Sequence, residues 1–94
     1  MKRVRFDEKL EHLVDEEGNK YHGKRFYTAS VGSSWHSTYK DAEDGAIFDL
    51  EELAQDMGAE AFEVIEVRFE DSKQEYDSSP YSASISALLY KKQD

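Results

Sequence analysis

The side chains in this 94-residue chain best suited to chemistry are its three histidines, His12, His22 and His36. Imidazole is neutral and ligating near pH 7, so a pair at helical spacing would read as a metal site. No H-x-x-x-H or H-E-x-x-H pair occurs, and the chain has no cysteine. A metal centre would need the histidines to converge from separate elements together with a carboxylate. The expectation is therefore no metal site and no cofactor. His36 lies among Ser30, Ser33, Ser34 and Ser37. A nucleophilic serine needs a base and an orienting acid in set geometry, which closeness in a loop does not supply. The Gly-x-Ser-x-Gly elbow is also absent. Gly32-Ser33-Ser34 precedes an expected helix, whose N-terminus could hold an anion. Asp41, Glu43 and Asp44 in the first turns of that helix repel phosphate and instead complement its dipole. These patterns assign no catalytic residue, and the chain is expected not to be an enzyme.

A surface that binds is the other option. Asp49, Glu52 and Asp56 share one flank of the expected helix, beside its apolar stripe. Seven acids and no Lys or Arg lie between Asp41 and Met57. Pairs at i,i+4 normally balance such charges. The acids form either a solvated face or a docking face for a basic surface. Trp35 stands in a polar loop and either folds back onto the core or serves as a contact anchor. Phe48 lies opposite the apolar stripe, among Asp44, Glu51 and Gln55. It either marks a partner surface, is exposed without purpose, or is covered by the N-terminal segment through Leu10, Leu13 or Val14. Covering is the expectation, because residues 1–23 otherwise lack a place to bury their apolar groups. The candidate partner surface is thus Trp35, Phe48, Asp49, Glu52 and Asp56.

The elements that must position these residues follow from periodicity. Tyr39, Ala42, Ala46, Leu50, Leu53, Ala54 and Met57 form one stripe at 100° per residue. Thr38 with Asp41 fits an N-terminal capping box, and Gly58 fits the C′ position. A helix over 39–57 follows, and Gly45 inside it costs about 1 kcal/mol relative to Ala. Residues 24–31 read as a strand broken by Gly32-Ser33-Ser34. Residues 61–70 read as a strand with Ile65, Val67 and Phe69 on one side. Tyr81, Ala83, Ile85, Ala87 and Leu89 alternate with serines, the mark of an antiparallel strand with one wet face. A polar loop of about ten residues, 71–80, joins the last two strands. Asp7 to Val14 reads as a short helix or an irregular segment in preference to a strand over 11–14. The order strand, helix, strand, strand predicts a two-layer α+β fold, one helix on a small, mostly antiparallel sheet. The first two strands can run parallel across the helical crossover. The organisation is one domain, 1–94, with an N-terminal extension (1–23) and a β-α-β-β core (24–92).

Composition sets limits on partners. Leu, Ile, Val and Phe number 19, at the ~20% line below which charged chains are often disordered, but twelve aromatics favour folding. A compact chain of this length has a radius of gyration of roughly 12 Å. Residues 1–40 carry net +2 and residues 41–94 net −11, giving −9 in all. Such a charge excludes a general nucleic-acid coat and a basic membrane-surface helix. No stretch approaches the ~20 apolar residues of a spanning helix, and no apolar region follows the basic start. A soluble, cytoplasmic chain is expected.

Ser30-Val31-Gly32-Ser33-Ser34, Met57-Gly58-Ala59, Ala61-Phe62-Glu63-Val64-Ile65-Glu66 and Ser86-Ala87-Leu88-Leu89-Tyr90-Lys91 together carry a resemblance. Over residues 24–92 the chain resembles the small bacterial YdgH/BhsA/McbA-like domain family, which runs strand, Gly/Ser turn, helix, Gly-Ala, strand, loop and final strand. The resemblance implies a small, exported, stress-associated domain without established catalytic residues. A second resemblance, in topology alone, is to the YbjQ-type heavy-metal-binding-domain family, which implies an oligomer. The reading is a non-catalytic bacterial interaction or assembly module acting through a protein partner or self-association. Its alternative is an oligomeric ligand- or metal-binding protein of the YbjQ-like type.

Overall fold

A computed structural model describes residues 1–72 and 78–92. In chain order the elements are β1 (Lys2–Arg3), β2 (Arg5–Asp7), β3 (His12–Val14), β4 (Gly23–Gly32), α1 (Tyr39–Asp56), β5 (Ala61–Asp71) and β6 (Tyr81–Lys92). Four strands form one sheet in the order β1-β5-β6-β4, and β2 pairs with β3 in a separate two-stranded sheet. β6 is antiparallel to both β4 and β5, while β1 is parallel to β5. β4 and β5 therefore run parallel, as a helical crossover allows, but β6 is inserted between them. The result is a two-layer α+β fold with one main helix on a mostly antiparallel sheet.

Helix α1 forms where its stripe and both caps agree. Thr38 is extended and its Oγ1 accepts the Asp41 N–H at 3.0 Å, satisfying a donor that the first turn leaves free. At the other end Gly58 has φ +77°. Its N–H donates to the Gln55 carbonyl, and the Ala59 N–H donates to Ala54. This paired closure needs a left-handed residue at C′, where glycine avoids the Cβ clash. Gly45 has a separate reason. The His36 ring lies over it, and a Cβ there would stand 2.8 Å from Nε2. The residue that weakens the helix lets the preceding loop lie flat against it.

Ala42, Ala46, Leu50 and Ala54 are fully buried against Ala83, Ile85, Ala87 and Leu89 of β6, Ala29 of β4 and Phe62 of β5. The small alanines on both sides bring helix and sheet close together. Tyr39, expected in the same stripe, is 46% exposed. It sits at the first turn and stacks on the sheet's aromatic end. Ile65, which alternation places on the same side as Val67 and Phe69, is 52% exposed. The register of β5 shifts between Val64 and Glu66, so Ile65 is the extra residue of a bulge. Phe62 and Val64 before the bulge, and Val67 after it, pack against the helix layer.

Residues 7–14 are not helical. Arg5, Phe6 and Asp7 pair antiparallel with Val14, Leu13 and His12. The Asp7 carboxylate accepts the N–H groups of Lys9 and Leu10 and closes the turn. That local acceptor offers the backbone an alternative to a helix. Across the next turn Asp15 accepts from Glu17 and Asn19, and Val14 bridges to Lys20. The 71–80 connection lies partly outside the described residues, at 73–77; the Ser72 N–H donates to the Pro80 carbonyl at its base.

The molecule is a slab of 52 × 30 × 18 Å with a radius of gyration of 15.0 Å, wider than the compact expectation. Long strands explain this. A 12-residue strand runs about 40 Å and an 18-residue helix only about 27 Å. One helix cannot roof the whole sheet.

Phe48 is not covered. It is 62% exposed, and Leu10 is 49% exposed elsewhere. The N-terminal segment finds a different place to bury its apolar groups. Phe62 and Leu89 point into the helix layer, so their neighbours Ala61 and Tyr90 point to the opposite face. There they cluster with Val4 and Tyr21, and Leu13 and Leu88 pack alongside. The Val4 N–H fastens this segment to the Phe62 carbonyl at 2.8 Å.

Two residues of one helix should therefore respond oppositely to truncation. Leu50→Ala should cost about 2–5 kcal/mol. Phe48→Ala should stay within about 0.5 kcal/mol. Urea unfolding measures both, and a large loss for Phe48→Ala would require a covering segment after all.

Candidate interaction surface

The described residues form no enclosed catalytic site. Apart from its tyrosine hydroxyls, the core contains no buried polar or charged side chain. No group of three or more His, Asp or Glu among the described residues could hold a metal ion. The structure does bring His12 and His22 together, with ring centroids 4.8 Å apart. Their separation in sequence hid this pairing, which depends on β3 folding back toward β4. His36 stays apart from them. Its backbone bridges Tyr81, and its Nε2 lies 3.3 Å from the Ser34 Oγ. Ser33 is structural: its hydroxyl accepts the Ala83 N–H and donates to the Ser34 carbonyl.

The wet face of the sheet carries a shallow concavity of about 360 Å³ lined by Ser30, Ser84, Ser86, Glu66, Arg68 and Glu70. Arg68 and Glu66 form an ion pair there. Small hydroxyls on β4 and β6 make the floor and the longer charged side chains of β5 make one wall. The helix layer is absent on this side, so the floor is open to solvent.

Four of the five residues of the expected partner surface lie on α1 and the fifth, Trp35, lies in the loop that precedes it. Phe48, Asp49, Glu52 and Asp56 are all exposed on α1. Trp35, 48% exposed, stands in the loop before the helix and does not belong to either core cluster. Around Phe48 the outer face of the helix carries Asp44, Glu51 and Glu52. No ion pair involves a helix acid among the described residues, whose ion pairs are Arg5–Asp7 and Arg68–Glu66.

Sequence reasoning missed an aromatic group at the helix N-terminus. Tyr39 meets Phe69 at 5.0 Å and Tyr81 at 4.2 Å between ring centroids. Tyr39 and Phe69 remain nearly half exposed. The period-2 pattern of β5 and β6 contained the signal, since Phe69 and Tyr81 end the inward-facing rows at the point where the first turn of the helix meets them.

The opposite end holds the only strongly shifted acids and bases among the described residues. Burial, and then the nearby Glu60 carboxylate, push the Tyr21 phenol up to about 12. That hydroxyl completes no hydrogen bond, yet Glu60 stands close enough to favour its proton through partial hydrogen bonding as well as charge. Burial also pushes Tyr90 up to about 12, helped by the hydrogen bond from its hydroxyl to Glu63 at 2.9 Å. The two rings meet edge to face at 6.2 Å.

Comparison with family models, with curated proteins and with solved structures yields no match for this chain.

Two outcomes follow from this electrostatic arrangement. A phenol whose folded pKa lies above its ordinary value near 10 holds its proton more tightly in the native state. Its contribution is complete below pH 10 and disappears as pH rises through about 12. In an alkaline titration, Tyr21 and Tyr90 should form phenolate late and together with loss of the circular-dichroism signal. Titration of every tyrosine near pH 10 in a still-folded chain would contradict the packing. Tyr21→Phe, which removes an unpartnered hydroxyl, should leave stability equal or higher. Separately, the helix acids repel one another without local cations. The melting temperature should rise as salt is raised from low to physiological strength, where the Debye length is about 8 Å. A steady fall over that range would show that attraction dominates.

Proposed function

We propose that this chain works by binding a protein partner, not by catalysis, as a stress-associated interaction module of the kind that the YdgH/BhsA/McbA-like resemblance implies. The observation that carries the reading is Phe48. A phenylalanine 62% exposed in the middle of a helix face of carboxylates has no structural use. It supplies a large apolar anchor, and the acids around it supply long-range attraction for a cationic surface. The matching partner is a basic protein surface with an apolar pocket. Asp49, Glu52 and Asp56 sit on one flank of that face, where they would set the orientation of approach. The order of elements, with its Gly/Ser turn, Gly58-Ala59 helix end and final strand, fits the same resemblance. Nucleic acid is not the partner, because a surface of this sign repels phosphate.

The test is site-specific photocrosslinking in cells. A photoreactive phenylalanine analogue at position 48 should give a discrete protein adduct, and one at the sheet-face position 84 should not. Reversing Asp49, Glu52 and Asp56 to lysine should abolish the adduct at 48 while the fold is retained. Equal labelling at 48 and 84, or an adduct indifferent to charge reversal, sinks the reading.

A further inference from the structure

The two long edges of the main sheet differ in kind. β5 is capped by β1 at Ala61 and Phe62, and the rest of its outer edge carries Glu66, Arg68, Glu70 and Asp71. Charges of that sort are the ordinary guard against edge-to-edge pairing. β4 lies at the other side, and no segment among the described residues pairs with its outer edge along ten residues. Its first half is guarded by Lys24, Arg25 and the register shift between Arg25 and Tyr27. Its second half, Tyr27 to Gly32, has no charge, no proline and no bulge.

This bare half-strand opens the longest run in the chain without Asp, Glu, Lys or Arg, from Phe26 to Tyr39. Charged residues make up 35% of the chain, so the gap is pronounced. Exposed aromatic surface flanks it, with Tyr27 at 47% and Trp35 at 48%. An unguarded edge bordered by half-exposed aromatics is the anatomy of a pairing surface.

We propose that the second half of β4 pairs antiparallel with the same strand of a second copy of this chain, joining two four-stranded sheets into one. The choice of occupant rests on charge. Each copy carries −9, so two copies repel one another over most of their surfaces. They can meet where neither carries charge. A two-fold axis near Ala29 makes the contact self-complementary, every interaction occurring twice. It also lays the Lys24-Arg25 end of one strand beside the Ser33–Trp35 end of the other, so cations meet an uncharged aromatic end. A parallel arrangement would instead set Lys24 and Arg25 of the two copies side by side. Both helices then lie on one face of the joined sheet, and both Phe48 side chains stay exposed. The inference goes beyond the helix-face reading and does not depend on it.

Sedimentation equilibrium on the intact chain at high micromolar concentration and physiological salt tests this. The expected mass is about 22 kDa, twice the 10.9 kDa chain. Thr28→Lys and Ser30→Lys, which place like charges near the axis on exposed positions, should each return the monomer mass with an unchanged circular-dichroism spectrum. Ser84→Lys adds the same charge to the same wet face on central β6 and should leave the dimer intact. Because the chain has no cysteine, Thr28→Cys and Ser30→Cys give a second measurement that needs no disruption. With the axis at Ala29, position 28 of one copy faces position 30 of the other, so mild oxidation of the two variants mixed together should join them into a covalent heterodimer far faster than either is joined to Ser84→Cys. A monomeric wild type, a dimer that survives both edge lysines, or a ring larger than a dimer overturns the proposal. None of these outcomes bears on crosslinking at Phe48.

Discussion

The chain's last strand lies in the middle of its sheet, and the other elements depend on that placement. β4 and β5 run parallel with a gap between them that only β6 fills, so β4 obtains its ladder pairing from β6, and β5 obtains from it all but the short pairing with β1. The helix depends on it as well. Ala83, Ile85, Ala87 and Leu89 present the surface onto which Ala42, Ala46, Leu50 and Ala54 close. Without β6 the crossover would join two strands that share no hydrogen bond. Loop-closure entropy must then be spent across most of the chain before its largest contacts form, which is the condition that makes mixed folds slow. Alternation along β6 (small or aliphatic inward, serine outward) meets this demand by fixing the register. A one-residue slip would bury Ser82, Ser84 and Ser86 and expose Ile85 and Leu89.

A second constraint is length. The sheet is longer than its one helix, so cover for its ends must come from elsewhere. At the helix N-terminus the cover is aromatic: Tyr39 reaches Phe69 and Tyr81, and the loop through Ser33 and His36 is fastened to β6 by backbone bonds. At the other end the chain uses its first 23 residues. Val4, Leu13 and Tyr21 cover Ala61, Leu88 and Tyr90 on the face the helix does not touch. The molecule is therefore two layers thick through most of its length, with this second small core on the opposite face at one end. The same geometry leaves the middle of the wet face open and Phe48 uncovered.

The core elements were legible because each was signalled more than once. Helix α1 had a stripe, an N-cap and a C′ glycine, and β6 had five inward residues in strict alternation. What remained hidden required contacts distant in sequence. Ile65 follows the period-2 rule by itself, and only pairing with β6 reveals the extra residue. Residues 7–14 carry Leu10, Leu13 and Val14 at helical spacing, yet the Asp7 carboxylate and the β2–β3 pairing outweigh that weak pattern. The expectation that Phe48 is covered failed for a related reason. The N-terminal segment did have apolar groups to bury, but the better site was the Ala61–Tyr90 pair, whose two sides alternate out of the helix layer. Of the candidate surface, the sequence showed which helix residues face outward. It could not show that His12 and His22 meet.

Charge then decides which surfaces can touch which. The acids of α1 surround an apolar anchor, so that face attracts a cationic partner and repels another copy of itself. The outer edge of β5 is charged along the part that β1 does not cap. Among the strand edges of the described residues, the second half of β4 combines unpaired backbone with no charge, so like chains would approach it at the least electrostatic cost. The uneven sequence, with net −11 placed after residue 40 and an uncharged run just before it, thus becomes a division of labour in space. On the two proposals, unlike partners would be drawn to the helix layer and identical ones confined to a sheet edge. Because the edge lies in the plane of the sheet and Phe48 points away from it on the far side of the helix, occupation of one leaves the other open. A single small domain can on this arrangement present two copies of its helix face together, which would strengthen binding to a partner with repeated basic sites by raising the local concentration of the second contact.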